Sequence, residues 1–252
     1  MDERIAVITG GSRGLGRSVA LHLARRGVHS VITYKSSRGE AEKVVQLVQD
    51  AGAKSVALEL DVGRSSTFGD FASTVQRELA TMWKRDRFDF LINNAGHGYR
   101  APIAETTEVE FDSLFNVHLK GTYFVTQRLL ALIADGGRIL NLSTGLARFT
   151  TPGYSAYAAM KGGIEVLTRY FAQELGSRRI TVNTIAPGAT ATDFAGGIIR
   201  DNKDYRQMIA ARTALGRVGE PDDIGRAVAI LLSDEMAWIN GQRIEISGGM
   251  NL

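Results

Sequence analysis

Seven short apolar runs, near residues 4–9, 29–34, 54–60, 88–92, 137–143, 179–185 and 243–246, alternate with longer stretches of helical periodicity. Strands separated by helices pair in parallel, because each crossover returns the chain to the same end of the sheet. A parallel sheet is covered on both faces, so its strands read as unbroken apolar segments such as Ile5-Ala6-Val7-Ile8 and Phe90-Leu91-Ile92. The pattern predicts an α/β fold, a doubly wound parallel sheet of seven strands, in one domain over residues 1–252. No further repeat, low-complexity tract or Pro-rich linker divides the chain. Such folds bind ligands beyond the carboxyl ends of their strands. Thr9–Gly16, Asn93–Gly96, Ser143/Thr144 and Pro187-Gly188 all follow strands, so a single site is expected along that edge.

Composition removes several function classes. Hydrophobic residues make up 44% and charged residues 23%, the balance of an ordinary globular protein with ample core. Thirty basic against 27 acidic residues leave a net charge of only +3, and the basic cluster Lys84-Arg85-Asp86-Arg87 contains an acid. Neither a nucleic-acid nor a membrane partner is expected from that charge. The absence of cysteine excludes disulfides and thiolate metal sites. His22, His29, His97 and His118 show no metal-ligand spacing, so no metal is expected, and the first two read as surface or helix-face residues. No apolar run approaches the roughly 20 residues that cross a bilayer. Met1 to Arg4 is charged and leads straight into a strand, so a signal peptide is not expected and a cytoplasmic location is.

The first strand breaks into Thr9-Gly10-Gly11-Ser12-Arg13-Gly14-Leu15-Gly16 and then into the helical pattern Val19, Ala20, Leu23, Ala24. Glycines open backbone conformations closed to other residues, and a helix N-terminus offers free N–H groups to a pyrophosphate. The spacing is Gly10-x3-Gly14-x-Gly16, not the common Gly-x-Gly-x-x-Gly. An NAD site places an acid at the end of the second strand to bind the ribose 2′-hydroxyl. Here that strand ends Tyr34-Lys35-Ser36-Ser37, with no acid before Glu40, and Arg13 lies in the glycine loop. Two cations and two hydroxyls suit a 2′-phosphate, so NADPH/NADP+ is expected in preference to NADH.

Tyr157 and Lys161 stand four residues apart in a helical segment running from about Ser155 to Gly176, which puts phenol and ammonium on one face. A free phenol has a pKa of about 10, and a neighbouring cation favours its ionised form. Bringing it near neutrality asks for roughly 4 kcal/mol, more than an exposed pair supplies. A second positive charge, such as an oxidised nicotinamide, is expected to supply the remainder.

With the glycine loop and the Tyr157/Lys161 pair, the chain resembles the short-chain dehydrogenase/reductase family almost end to end, and is similar to its 3-oxoacyl-carrier-protein reductase-like branch. The resemblance implies a Rossmann-type fold and reversible NADP(H)-linked interconversion of a carbonyl and a secondary alcohol. Tyr157 would be the proton donor, and Lys161 would lower its pKa and bind the nicotinamide ribose. Asp61-Val62 would meet adenine; Asn94, Ala95 and Gly96 would line the cofactor; Thr190 and Thr192, after Pro187-Gly188, would approach the nicotinamide end. The family's substrate-positioning Ser corresponds by register to Thr144 and by residue type to Ser143; the register favours Thr144 and the choice stays open. The family's Asn in the fourth helix corresponds to His118, with a relay or a structural role both open.

The resemblance also implies that residues 194–215 cover the substrate and that the chain forms a homo-oligomer, a dimer or tetramer, through the Tyr157 helix and its neighbour. His97, Tyr99, Arg148, Phe149, Tyr154 and Phe194 are the expected substrate contacts, a set that suits a 3-oxoacyl thioester, a cyclic ketone, a quinone-like aromatic or a sugar. The 3-oxoacyl thioester ranks first by similarity of pattern. Two alternatives stand beside this reading: a nucleotide-binding regulator with vestigial catalysis, and an NAD-linked alcohol dehydrogenase.

Overall fold

Side chains on a strand point alternately to opposite faces, and the first strand serves two apolar layers at once. In the computed structural model, which describes residues 3–252, β1 (Ile5–Ile8) is wholly buried, with Ala6 and Ile8 in one layer and Ile5 and Val7 in the other. Six strands follow: β2 (His29–Tyr34), β3 (Ser55–Glu59), β4 (Phe88–Asn93), β5 (Ile133–Leu142), β6 (Thr181–Pro187) and β7 (Arg243–Ile246). They form one parallel sheet in the order β3-β2-β1-β4-β5-β6-β7. The chain direction across the sheet reverses between β1 and β4, which opens a crevice at their carboxyl ends.

The connections carry α1 (Gly14–Ala24), α2 (Arg38–Asp50), α3 (Phe68–Glu78), α4 (Glu108–Leu114), α5 (Gly121–Leu129), α6 (Ser155–Glu174), the short α7 (Ile198–Asp201) and α8 (Lys203–Ala210), and α9 (Pro221–Leu231). Val19 and Leu23 of α1, Val44 of α2 and Val228 of α9 fill the layer on one face. Phe71 and Val75 of α3, Val125 and Leu129 of α5 and Ala172 of α6 fill the other. Among the described residues no helix is long and apolar enough to cross a membrane.

Four local differences from the sequence expectation have physical causes. β5 begins at Ile133 rather than near 137, and its pairing with β4 jumps from Phe88–Ile133 to Phe90–Arg138. Gly136, at φ +78°, takes up part of the excess chain, and Asp135-Gly136-Gly137 hides the strand in an apolarity pattern. β6 starts two residues late, because Arg179 adopts the left-handed φ of 56° at the end of the preceding turn. His29 is buried rather than on the surface: its Nδ1 accepts from Lys54 N–H at 3.0 Å, Nε2 lies 3.1 Å from Glu3, and the ring stacks on Trp83. Finally, α4 and α5 are joined through Phe115–Lys120 by a wider π-type turn, so that 108–129 is one rod carrying His118 at its irregular middle.

Residues 194–215 hold a short turn over Phe194–Gly197, then α7 and α8. Gly196 and Gly197 both have positive φ, at 75° and 77°, and Arg200 bridges Asp193 and Asp201. The far end is tied to the C-terminal stretch, where Ala214 N–H donates to Gly249 O and Leu215 N–H to Gly248 O, each at 3.1 Å.

Candidate active site

The ends of β1 and β4 are stitched together by polar side chains. Asn94 N–H and Ala95 N–H donate to Thr9 Oγ1 at 2.9 and 3.0 Å, and Asn94 Nδ2 donates to Thr9 O and Gly10 O at 2.8 and 3.0 Å. The glycine loop is pressed against this seam. A Cβ on Gly10, which has φ +65°, would stand 2.9 Å from Ala95 Cα, and one on Gly16 would stand 2.4 Å from Gly10 O. At the start of α1 the N-cap residue, Arg13, makes no side-chain cap bond, so the first-turn N–H groups face outward beside Ser12 and Leu15. Thr192 Cβ lies 3.6 Å from where a Gly14 Cβ would be, which brings the segment after β6 over the loop. Within that segment Thr190 Oγ1 donates to Gly188 O at 2.9 Å, just beyond Pro187. This cradle of close backbone and unpaired N–H groups fits a dinucleotide.

At the ribose end two of the expected cofactor contacts meet each other. Lys35 Nζ sits 3.0 Å from Asp61 Oδ2, so the lysine meant for a 2′-phosphate and the acid meant for adenine are paired with each other. Burial raises the Asp61 pKa, but the Lys35 contact and Gly63 N–H, which donates to Oδ1 at 2.9 Å, outweigh it and leave the carboxyl below its ordinary range. Lys35 is largely exposed, so the pair contributes little to stability. Arg13, also exposed, has no ion-pair partner among the described residues. Tyr34 packs against the apolar layer on the α1 and α2 side, Ser36 lies between it and α2, and Val62 packs on the opposite layer.

At the other end of the crevice α6 turns Tyr157 and Lys161 inward, and both are buried. Lys161 Nζ donates to Leu142 O, the last residue of β5, at 2.7 Å, and lies 5.8 Å from the Tyr157 ring centre. The expectation that the ammonium lowers the phenol pKa is not met in the protein alone. Burial, reinforced by Tyr154, pushes Tyr157 up, and burial lowers Lys161 from 10.5 to about 8. Both groups are driven toward neutrality because desolvation penalises either charge.

Ser143 and Thr144 part company at the end of β5. Ser143 N–H still joins the ladder, donating to Ile185 O at 2.8 Å, and its Oγ donates to Glu165 Oε1 at 2.6 Å. Thr144 leaves the ladder in an extended conformation and caps the turn Gly145–Ala147, its Oγ1 accepting from Leu146 N–H at 3.3 Å. The Ser143 hydroxyl is therefore engaged behind the site, and that of Thr144 keeps its hydrogen free to donate.

His118 is buried, its ring edge-on to Tyr157 at 5.2 Å. Its Nε2 donates to His97 O at 2.8 Å, which fixes the tautomer and leaves Nδ1 as a buried acceptor with no partner among the described residues. Burial, then the Lys161 charge, hold its pKa well below the usual histidine range, so the ring is neutral. Gly96 is required beside it, since a Cβ there would stand 2.6 Å from His118 Cε1.

Of the expected substrate contacts, Tyr154 and Phe194 stand 6.5 and 6.0 Å from the Tyr157 ring, and Tyr99 packs in the same apolar cluster. His97 stacks obliquely on His118 at 5.4 Å. Arg148 pairs with Glu245 at 3.0 Å and donates to Met250 O at 3.1 Å, which ties its cation to the C-terminal stretch. Phe149 packs with Ala191, Ile209 and Met250. Glu165 and Arg243 escaped sequence reading. Glu165 follows Lys161 by one helical turn, which was the only available signal, and Arg243 is 78 residues further on.

A family model described as enoyl-(acyl carrier protein) reductase matches residues 10–251. The tetrahydroxynaphthalene reductase PfmaG of Pestalotiopsis fici is 37% identical over 257 residues, covering 98% of this chain and 91% of its own. The short chain dehydrogenase claC of Passalora fulva is 33% identical, covering 99% and 95%. Among solved structures, the promiscuous reductase LugOII, which catalyses keto-reduction at C1 during lugdunomycin biosynthesis, superposes with a TM-score of 0.94 at 32% identity, covering 99% and 98%. The angucycline C-6 ketoreductase LanV with bound NADP superposes with a TM-score of 0.93 at 33% identity, covering 98% and 95%.

Proposed function

The chain belongs to the short-chain dehydrogenase/reductase family, and on that premise we propose that it reduces the ketone of a fused-ring or other flat aromatic substrate to a secondary alcohol, with NADPH and with Tyr157 as proton donor. Membership makes it an oxidoreductase of CH–OH and C=O groups. The observation that carries the finer reading is the buried Tyr157–Lys161 pair at the end of β5, in the same crevice as the glycine loop.

Thr9–Gly16, Asn94–Gly96, Pro187, Gly188, Thr190 and Thr192 would hold the dinucleotide, with Arg13 at the 2′-phosphate. When bound, it supplies hydride to the carbonyl carbon. Thr144 donates its hydroxyl hydrogen to the carbonyl oxygen, its own oxygen being oriented by Leu146 N–H. Tyr157 gives its proton to the same oxygen. Burial keeps that proton on the phenol through neutral pH, so the residue is set as an acid, the state that reduction needs. Lys161, anchored on Leu142 O, stabilises the phenolate that proton donation leaves. The bound NADP named for LanV and the lack of an acid at the end of β2 support NADPH over NADH.

The ring set Tyr99, Tyr154 and Phe194 beside Tyr157 favours an aromatic ketone, in keeping with the tetrahydroxynaphthalene and angucycline in the relatives' names. A 3-oxoacyl thioester is the second reading, favoured by the acyl-carrier-protein description of the matched family. NADPH depletion with a panel of naphthol-derived ketones, 3-oxoacyl thioesters, steroids and sugars tests both. Turnover is expected first with the fused-ring ketones, at higher efficiency with NADPH than with NADH. Tyr157→Phe is expected to lower kcat by at least about 100-fold, the scale of general acid catalysis, with NADPH affinity nearly unchanged. A chain that binds NADPH and oxidises none of it with any carbonyl would instead be a regulator.

A further inference from the structure

Behind the strand end that presents Thr144, four charged side chains form a single line of contacts. Arg148 Nε meets Glu245 Oε2 at 3.0 Å, and the same oxygen lies 3.5 Å from Arg243 Nη1. Arg243 Nε donates to Glu165 Oε1 at 2.7 Å, the oxygen that also accepts from Ser143 Oγ at 2.6 Å. Arg243 Nη2 then donates to the backbone carbonyl of Thr144 at 3.1 Å, which also accepts from Ala147 N–H at 3.2 Å. The Glu165 and Arg243 side chains are mostly buried, at 16% and 22% exposure.

Thr144 is the first residue of this segment outside the β-ladder, so the sheet no longer dictates its orientation. The Gly145–Ala147 turn and two side chains from distant elements do so in its place. Glu165 of α6 fixes the residue before it through the Ser143 hydroxyl, and Arg243 of β7 fixes its carbonyl. A buried ion pair is weak support for stability, since desolvation offsets most of its attraction. Its rigid geometry is better suited to holding a backbone in one place. We propose that Arg243 and Glu165 are positioning residues for the carbonyl reduction: together they aim the Thr144 hydroxyl at the reacting oxygen and keep the Ser143 hydroxyl out of the site. This inference rests on the functional reading above.

The test is a double-mutant cycle read in kcat, with the KM for NADPH and the thermal midpoint measured alongside. Thr144→Ala is expected to lower kcat far more than Ser143→Ala. Arg243→Met is expected to lower kcat about tenfold or more with the NADPH KM within about twofold, the scale set by a sub-ångström misplacement. In a Thr144→Ala background the same change is expected to cost less than about twofold, because there is no hydroxyl left to aim. Arg243 losses of equal size in both backgrounds, or none in either, would overturn the proposal. Should Arg243→Met fail to fold, Glu165→Gln, which keeps an acceptor but loses the charge holding Arg243, takes its place in the cycle with the same expected and overturning results. Native chain without any ketone-dependent NADPH oxidation would overturn the functional reading itself, a result separate from native activity with an additive cycle.

Discussion

Burial acts on Tyr157 and Lys161 in the same direction, toward the neutral form, and this has a measurable consequence for stability. Lys161 titrates near 8 in the folded chain against an ordinary 10.5. Between those values the unfolded chain binds a proton that the folded chain does not, so this group makes stability rise as pH increases through the window. Below pH 8 both states are protonated and the burial penalty is present in full, up to about 3 kcal/mol at about 1.4 kcal/mol per pKa unit. Tyr157 opposes the rise only above pH 10, where its raised pKa makes the folded chain retain a proton that the unfolded chain loses. Urea midpoints at pH 8, 9 and 10 are therefore expected to climb more steeply in the native chain than in Lys161→Met. Parallel slopes would show that Lys161 is not desolvated as described. The same burial explains a misreading at this scale. Spacing placed the ammonium beside the phenol, but only the fold reveals that Leu142 O holds it and that both groups lie out of water.

Elements are locked behind the site by a line of uncharged polar side chains. Asn93 of β4 donates through Nδ2 to Thr126 Oγ1 of α5 at 3.0 Å and to Asn141 Oδ1 of β5 at 2.8 Å. Asn141 Nδ2 donates to Thr168 Oγ1 of α6 at 2.9 Å, and Thr168 meets Thr184 of β6 at 2.5 Å. Every member is buried, and each has its partner inside the line. Asn141→Leu removes both amide bonds and leaves Asn93 and Thr168 each one partner short, with Thr126 and Thr184 still bonded to them, and an expected loss of about 1–3 kcal/mol. Chemical denaturation measures it, and a loss under about 1 kcal/mol would mean that the neighbours re-pair or hydrate. Asn141 falls within a strand read from sequence and Asn93 just past one, yet nothing in a strand pattern tells a buried polar network from a solvated face. Likewise the π-type turn that carries His118 inward was invisible, because its residues keep helical periodicity on either side.

At the scale of the whole molecule, large apolar side chains stand exposed along the rod formed by α4 and α5 and on the neighbouring α6: Val109, Phe111, Phe115, Tyr123, Val166 and Tyr170. A patch of this kind is costly to leave in water and marks an interaction surface. We propose that a second copy of this chain covers it, making a homo-oligomer. Sedimentation at micromolar concentration is expected to give a dimer or tetramer, which Phe115→Glu with Tyr170→Glu would dissociate; a monomeric native chain would contradict the assignment. Gly162, in α6, has open space where a Cβ would project, whereas a Cβ on Gly163 would stand 3.2 Å from Leu119 Cδ1, so only one of these two small residues is explained within the monomer.

The alternation of apolar runs and helices was enough to establish the parallel sheet, its seven strands and the edge on which Thr9–Gly16, Asn93–Gly96, Ser143/Thr144 and Pro187-Gly188 would gather. Period and hydrophobicity are local properties, and each strand carries its own signal. The pairing of Lys35 with Asp61, the diversion of Arg148 to the C-terminal stretch, and the hold of Arg243 and Glu165 on Thr144 and Ser143 emerged only once the chain was folded. Charged side chains choose partners by distance and desolvation in three dimensions, across separations of 22 to 102 residues that no local pattern encodes.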